Sequence, residues 1–383
     1  MRVSVPTLYA YVSRKQIRSR KIPGERRHQY WRPDIDRVRN GAPAPAGSMF
    51  EVKQQTQISL ITPAGHYYRG VSALKLAETH TLEQTASLLW ECDEKLAFGE
   101  RKPRTIAAFK TIAYELMEAA TTPDKAIALF PLLEHGNPQA FDLGHDGLCR
   151  TGGDIVRWYA ALLTGADKVS TEPLHLQIAK PLKCSAKESD LLRRLLVLSA
   201  DHGFAAGTAA VRAVASTGVS PYRAVIAGLA IVTGRRSRFG RLEGTGRFLN
   251  ELLSSLDSPQ DVIVRRLREG DVVPGFDSHD VYPGMDPRAE TLINAMRPIY
   301  GGEKDFKRVL SAIQFVQGLN GSHPSFAFVH AVISRRLGAP SQNVLYILGR
   351  MSGWIAHAIE QYQAGEIARG AADYVGALPK ADV

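Results

Sequence analysis

Apolar residues recur at three- and four-residue intervals through most of the chain. Ile106, Phe109, Ile112, Ala113, Leu116 and Met117 together describe one buried face of a helix. Helix starts are marked chemically: Ser220-Pro221 and Asp286-Pro287 each set a capping side chain before a proline at the first helical position, where the missing N–H costs nothing. Thr81 with Gln84 reads as a capping box, and Gly218 and Gly234 read as helix stops. Only residues 51–69 depart from this period, with Val52, Ile58, Leu60 and Tyr68 among polar residues around Pro63-Ala64-Gly65, which predicts a small hairpin. The body is therefore expected to be mostly helical. It shows no repeat of fixed period and no run of 18 apolar residues, so a soluble, cytoplasmic chain with no membrane contact is expected.

Composition refines this picture. At 383 residues and 44% hydrophobic, the chain can bury a large core and exceeds the usual single-domain size, which predicts two packed lobes. The formal charge of +10 is uneven, because residues 1–40 hold eleven basic residues against Glu25, Asp34 and Asp36. A separate basic arm (1–40), a Pro/Gly/Ala-rich linker (41–49) and a body (50–383) are the simplest division. Cys92, Cys149 and Cys184 are too few and too widely spaced for a disulfide framework or a zinc site, so reduced thiols and no metal are expected.

The segment from Pro274 to Ala289 carries the clearest chemistry. It sets His279 in a Gly-containing loop nine residues before Arg288 at a helix start, an arrangement suited to an anionic, carbonyl-bearing ligand. The segment resembles the PGFGH…DPRA block of citrate synthases. Other blocks follow in family order: Tyr68-Arg69-Gly70 with Leu76-Ala77-Glu78, Ala200-Asp201-His202, Ala213 to Thr217 with Pro221-Tyr222, Gly353-Trp354-Ile355-Ala356-His357, and Tyr374-Val375-Gly376. The resemblance runs from about Gln57 to Gly376. It implies the all-α citrate synthase fold, with a large helical domain and a smaller one, about 239–333, closing over the ligand, in a dimer.

Carried over residue by residue, the resemblance makes His202 and His279 oxaloacetate-binding histidines, the second also polarising the keto group. It makes Arg288 and Arg350 carboxylate-binding arginines, and Arg369 a third that enters the neighbouring subunit's site. A dicarboxylate held away from water needs such fixed, always-charged forks. The implied co-substrate is an acyl-CoA thioester, with no bound cofactor. The basic group Arg235, Arg236, Arg238 and Arg241 is either a coenzyme-phosphate contact or a solvated loop.

Two family groups are missing. The family's enolate-binding histidine, in a GPLHGG loop, is met here by Gly234 to Gly240, with Arg238 at or near its place. The proton-abstracting aspartate of an N-V-D-F block is met by His323-Pro324-Ser325-Phe326, with Ser325 at its place. No histidine lies between His202 and His279, and no carboxylate between Asp305 and Glu360. A serine hydroxyl is no base at neutral pH, so impaired turnover is expected unless His323 or His330 serves as base and Arg238 as the oxyanion partner. The loop around Asp277-Ser278 is also one residue longer than usual in the family.

Residues 5–39 resemble the second half of MerR- or excisionase-type winged helix-turn-helix domains, with Thr7, Tyr9 and Tyr11 on a recognition helix and a basic wing after it. The motif's first helix does not precede Val5, so either the start lies upstream or the segment is a basic appendage with non-specific DNA contact. Three functions follow: a citrate or 2-methylcitrate synthase with substituted catalytic groups; an impaired homodimer or a partner subunit paired with an intact paralogue; and a ligand-sensing DNA-binding regulator. The second is favoured.

Overall fold

The computed structural model describes residues 55–368 except 64, 235–237, 277–280, 283, 342 and the side chains of 238–243, together with residues 19–21, 28–30 and 35. Strands β1 (Ser19–Lys21) and β2 (His28–Tyr30) pair antiparallel, Arg20 opposite Gln29, in a unit separate from the compact body of Thr56–Ala368. The rest of the basic arm and the linker lie outside the described residues, and so does any recognition helix there.

The body opens with the expected hairpin. β3 (Ser59–Thr62), β4 (Gly65–Tyr68) and β5 (Val71–Ser72) form an antiparallel sheet in that order, with Ser59 opposite Tyr68 and Tyr67 opposite Ser72. Because strand side chains alternate, His66 and Tyr68 share the buried face of β4 and Tyr67 does not.

Helices make up the remainder: α1 (Ala73–Thr79), α2 (Leu82–Trp90), α3 (Glu94–Phe98), α4 (Thr122–His135), α5 (His145–Thr164), α6 (Leu174–Ala179) and α7 (Ala186–Ser199). They continue with α8 (Ala206–Ala215), α9 (Pro221–Val232), α10 (Arg238–Ser254), α11 (Pro259–Arg268), α12 (Pro287–Tyr300), α13 (Lys304–Asn320), α14 (Phe326–Arg336) and α15 (Val344–Ala364). The Thr81–Gln84 capping box forms as the sequence predicts, Gln84 N donating to Thr81 Oγ1 at 3.2 Å and Thr81 N to Gln84 Oε1 at 3.0 Å. Asp286 caps α12 by accepting from Arg288 N at 2.9 Å. Past the end of α8, Gly218 takes φ +78°, the left-handed turn that stops the chain.

Helix α15 is the spine. It packs against α2, α5, α7, α8 and α9, and its Leu348, Trp354 and Ile355 are fully buried, each stabilising the fold by about 1.5–3 kcal/mol relative to exposure. Two glycines bring it onto the end of α7. A Cβ at Gly349 would stand 2.7 Å from Leu196 O, and one at Gly353 would stand 2.3 Å from Ala200 O. Their absence lets Gly353 N donate to Ala200 O at 3.0 Å, which fixes the residue after Ala200 against the middle of α15.

Two local expectations are corrected. The Ile106–Met117 stretch closes as a wide π turn, Thr111–Leu116, with Met117 N reaching Ile112 O at 3.1 Å. Phe109 and Ala113 remain buried, but the wider winding rotates Leu116 outward to 76% exposure, while Tyr114 turns in and donates to Ala166 O at 2.8 Å. Ser220 does sit at the start of α9, but its hydroxyl donates to the buried Glu134 carboxylate rather than capping the helix. Among the described residues, no helix is long and apolar enough to cross a membrane.

Candidate functional site

Asp201 is the hub of a buried charge network at the α7–α8 junction. Its backbone N–H meets Tyr68 Oη at 3.3 Å, and Gly203 N donates to Oδ2 at 2.9 Å in a tight turn with Gly203 at φ +66°. Ser59 Oγ donates to the same oxygen, tying the hub to β3. On the other oxygen, Arg350 Nη1 donates at 3.0 Å from α15, and His357 Nε2 stands 3.5 Å away, two turns further along that helix. Complete burial alone would raise the Asp201 carboxyl, but His357 and Arg350 beside it, with the Ser59 hydroxyl, outweigh burial and hold it well below the usual carboxylate range.

Arg350 is itself buried. Its second amino group donates to Tyr346 Oη at 2.6 Å, and its guanidinium lies 5.2 Å from the Tyr346 ring. Tyr346 stands 6.3 Å from Phe326, and the guanidinium of Arg288 lies over the Phe326 ring, 4.3 Å from its centroid. Arg288 is gripped by Asp286, with Nε to Oδ1 at 3.1 Å and Nη2 to Oδ2 at 2.7 Å, so one aspartate both caps α12 and anchors its first arginine. Burial works against the Arg288 charge, and Asp286 more than restores it. This pairing uses two of the five guanidinium donors.

The turn after Asp201 presents His202, which is buried, with its ring 6.5 Å from Tyr282 and 5.2 Å, edge-on, from His66 of β4. His66 lies within electrostatic reach of Arg288 and Arg350, and of Asp201 and Asp286. Three of the five residues anticipated as ligand binders, His202, Arg288 and Arg350, are therefore gathered in one cluster. His279 and Arg369 lie outside the described residues, as do Arg235, Arg236 and the side chains of Arg238 and Arg241.

Ser325 is placed beside this cluster, next to Phe326, as the N-cap of α14. Its Oγ accepts from Phe328 N at 3.3 Å, and its own N–H donates to Gly275 O at 2.8 Å. That bond zips the segment leading to the 277–280 loop onto α14. It depends on Gly275, which holds φ +86° and where a Cβ would stand 2.8 Å from Phe328 Cβ. Of the two alternative bases, His323 Nδ1 meets Gln317 Nε2 at 3.0 Å, whereas His330 is fully buried, with Nδ1 3.2 Å from the Ser334 hydroxyl and its ring 5.7 Å from Tyr346.

A sequence profile of the citrate synthase C-terminal domain matches residues 154–371, more than half of the chain and the stretch that carries His202, Arg288, Ser325 and Arg350. The chain belongs to the citrate synthase family. Citrate synthase 2 of Bacillus subtilis is 25% identical over 336 residues, 81% of this chain and 90% of that protein. The 2-methylcitrate synthase of Shewanella oneidensis is 23% identical over 354 residues, 84% of this chain and 91% of that one. In fold, the chain matches citrate synthase from Pyrobaculum aerophilum with a TM-score of 0.72 over 96% of both chains at 18% identity. It matches the Thermoplasma acidophilum citrate synthase, solved with carboxymethyl coenzyme A and oxaloacetate, with a TM-score of 0.70 over 88% of this chain and 98% of that one at 19% identity. The expected all-α citrate synthase fold is the fold found.

Within this family framework, three residues of the cluster, Asp201, Tyr346 and His66, carry no role in the sequence reading, and Asp286 carries only that of a helix cap. Asp201 and Asp286 stand inside recognised blocks, and a buried arginine's need for a carboxylate is the signal that assigns them. Tyr346 is one helical turn before Arg350, the spacing at which helix neighbours meet. His66 is two residues before Tyr68, so strand alternation places both on one face.

Proposed function

We propose that this citrate synthase family member binds an oxaloacetate-like dicarboxylate through His202, Arg288 and Arg350, with His279 and Arg369 completing the pocket, and takes an acyl-CoA thioester as co-substrate. Its turnover alone is impaired, and it serves as the partner subunit of a catalytically complete paralogue, to which it lends Arg369. The binding half is supported by two buried guanidiniums beside a buried imidazole: each arginine is held by a carboxylate and by an aromatic face, the preorganisation that planar carboxylate recognition requires.

The impaired half rests on one observation. The Ser325 hydroxyl is engaged as a helix cap, and no carboxylate occurs in the chain between Asp305 and Glu360. A thioester methyl needs a positioned base and an oxyanion donor to lose its proton. The first contributes about 100- to 10,000-fold and the second about 100- to 1,000-fold. With Ser325 and Arg238 in those places, a dicarboxylate is held without being consumed.

Thiol release from acetyl-CoA with oxaloacetate, followed on the purified chain, tests this. A rate near background is expected, and family-typical turnover overturns the impaired reading. Co-expression with an intact paralogue is expected to give a mixed dimer, and separate homodimers count against the partner role. The likeness to a 2-methylcitrate synthase over most of the chain favours a second reading, an active synthase with substituted groups. Thiol release with propionyl-CoA in place of acetyl-CoA decides for it.

A further inference from the structure

β4 brings a second imidazole to the cluster of His202, Arg288 and Arg350. The His66 ring is 1% exposed and lies edge-on to His202, with centroids 5.2 Å apart, and to Tyr68, with centroids 4.8 Å apart. Neither Nδ1 nor Nε2 meets a hydrogen-bonding partner among the described residues. A buried polar group left without a partner is a cost to the folded chain, and a leucine would fill the buried face of β4 without it. Histidine at this position therefore points to a use outside the fold's own hydrogen bonding.

The surroundings define that use. His66 lies within electrostatic reach of the buried guanidiniums of Arg288 and Arg350 and of their partners Asp286 and Asp201; His202 and Tyr68 meet its ring. Burial first, and then the charge of Arg288, push the imidazole down to about 3, so at neutral pH it is uncharged, with one N–H donor and one acceptor nitrogen. Each arginine is paired with an aspartate, yet the pairings leave guanidinium N–H donors over, and donors suit an anionic acceptor rather than a cation.

We propose that His66 is a further binding residue of this pocket, donating a ring N–H to an acceptor oxygen of the bound dicarboxylate alongside His202, Arg288 and Arg350. The inference rests on the dicarboxylate reading above and adds to it a donor from the hairpin, an element outside the matched domain of residues 154–371. It also assigns the hairpin a purpose: β3 anchors Asp201 through Ser59, and β4 reaches past it with His66.

The test compares wild type with His66→Leu and His66→Gln, titrating each with freshly prepared oxaloacetate by calorimetry and melting each without ligand. His66→Leu is expected to bind about 10- to 100-fold more weakly, the worth of a hydrogen bond to a charged group, while melting at the same temperature or higher. His66→Gln keeps an N–H donor and is expected to recover most of the lost affinity. Equal affinity in wild type and His66→Leu overturns the proposal, and so does a Gln variant as weak as the Leu variant, because that pattern marks a packing role. A wild-type chain that takes up no oxaloacetate overturns the dicarboxylate reading itself and this inference with it. That result is read from wild type alone and is distinct from an unaffected Leu variant.

Discussion

The Arg288–Arg350 side of the cluster and the α14 side are built to different standards. On the first, Arg288 and Arg350 are fully buried charges, each with a carboxylate within 3.1 Å and an aromatic ring against its face. On the second, Ser325 contributes a cap bond at 3.3 Å and a backbone bond to Gly275. A buried guanidinium and its carboxylate cannot be lost one at a time without leaving an uncompensated charge, so the fold itself protects the recognition side. The helix cap has no such protection. Serine and aspartate start a helix about equally well, so exchanging one for the other leaves α14 intact whatever it does to chemistry. The reading proposed above, recognition kept and proton transfer lost, is thus one the fold can sustain.

The strongest way to break this contrast is to add back the missing groups. Ser325→Asp combined with Arg238→His is expected to raise thiol release from acetyl-CoA and oxaloacetate by about 100- to 10,000-fold over wild type, the range of general base catalysis, with little change in melting temperature. Gain of turnover without loss of the fold sharpens the comparison. A folded double variant that still binds oxaloacetate but shows no gain breaks it, because the recognition side alone then does not make a site.

Next in size is the recognition side. Arg350→Met is expected to cost about 3–5 kcal/mol in denaturant unfolding at neutral pH, because the buried Asp201 carboxylate then loses its guanidinium partner. The pH dependence carries a definite sign. The folded Asp201 carboxyl is held below its ordinary range, so its pairing stabilises the fold at every pH above about 4, and the benefit is lost as pH falls from there toward the folded value. An Asp201→Asn chain is expected to lose that part of the acid sensitivity. An unchanged stability curve between pH 4 and 2 removes Asp201 from its place as hub.

How much of this was legible beforehand follows the same division. Asp286-Pro287 announced its helix because a cap and a proline act locally, and the arginines and His202 were placed by their ordered blocks. Ser220 carried the same local signal, yet the tertiary partner Glu134 claimed its hydroxyl. Leu116 was misplaced because periodicity assumes 3.6 residues per turn, and nothing in the pattern of residues 106–117 announces a π turn that rotates the last apolar side chain outward. Asp201 and His66 needed distant elements, α15 and β4, to be set against each other. The enabling close approach at Gly349 and Gly353 is a property of packing that a lone sequence does not display.

The smallest expected effect is the most discriminating about Ser325. Ser325→Ala removes the hydroxyl that accepts from Phe328 N and leaves the backbone bond from residue 325 to Gly275 in place. If the hydroxyl is only a cap, the variant loses about 1 kcal/mol of stability, the usual worth of a serine N-cap, and its background thiol release does not change. Ser325→Asp supplies the internal control, since it restores a cap of equal strength and should recover the lost stability. A serine that takes part in proton transfer gives a different pattern: a fall in rate of 10-fold or more with Ala, out of proportion to the shift in melting. Because the two readouts move independently, stability with the cap and rate with the chemistry, this one position tells whether the α14 side of the pocket is silent or merely slow.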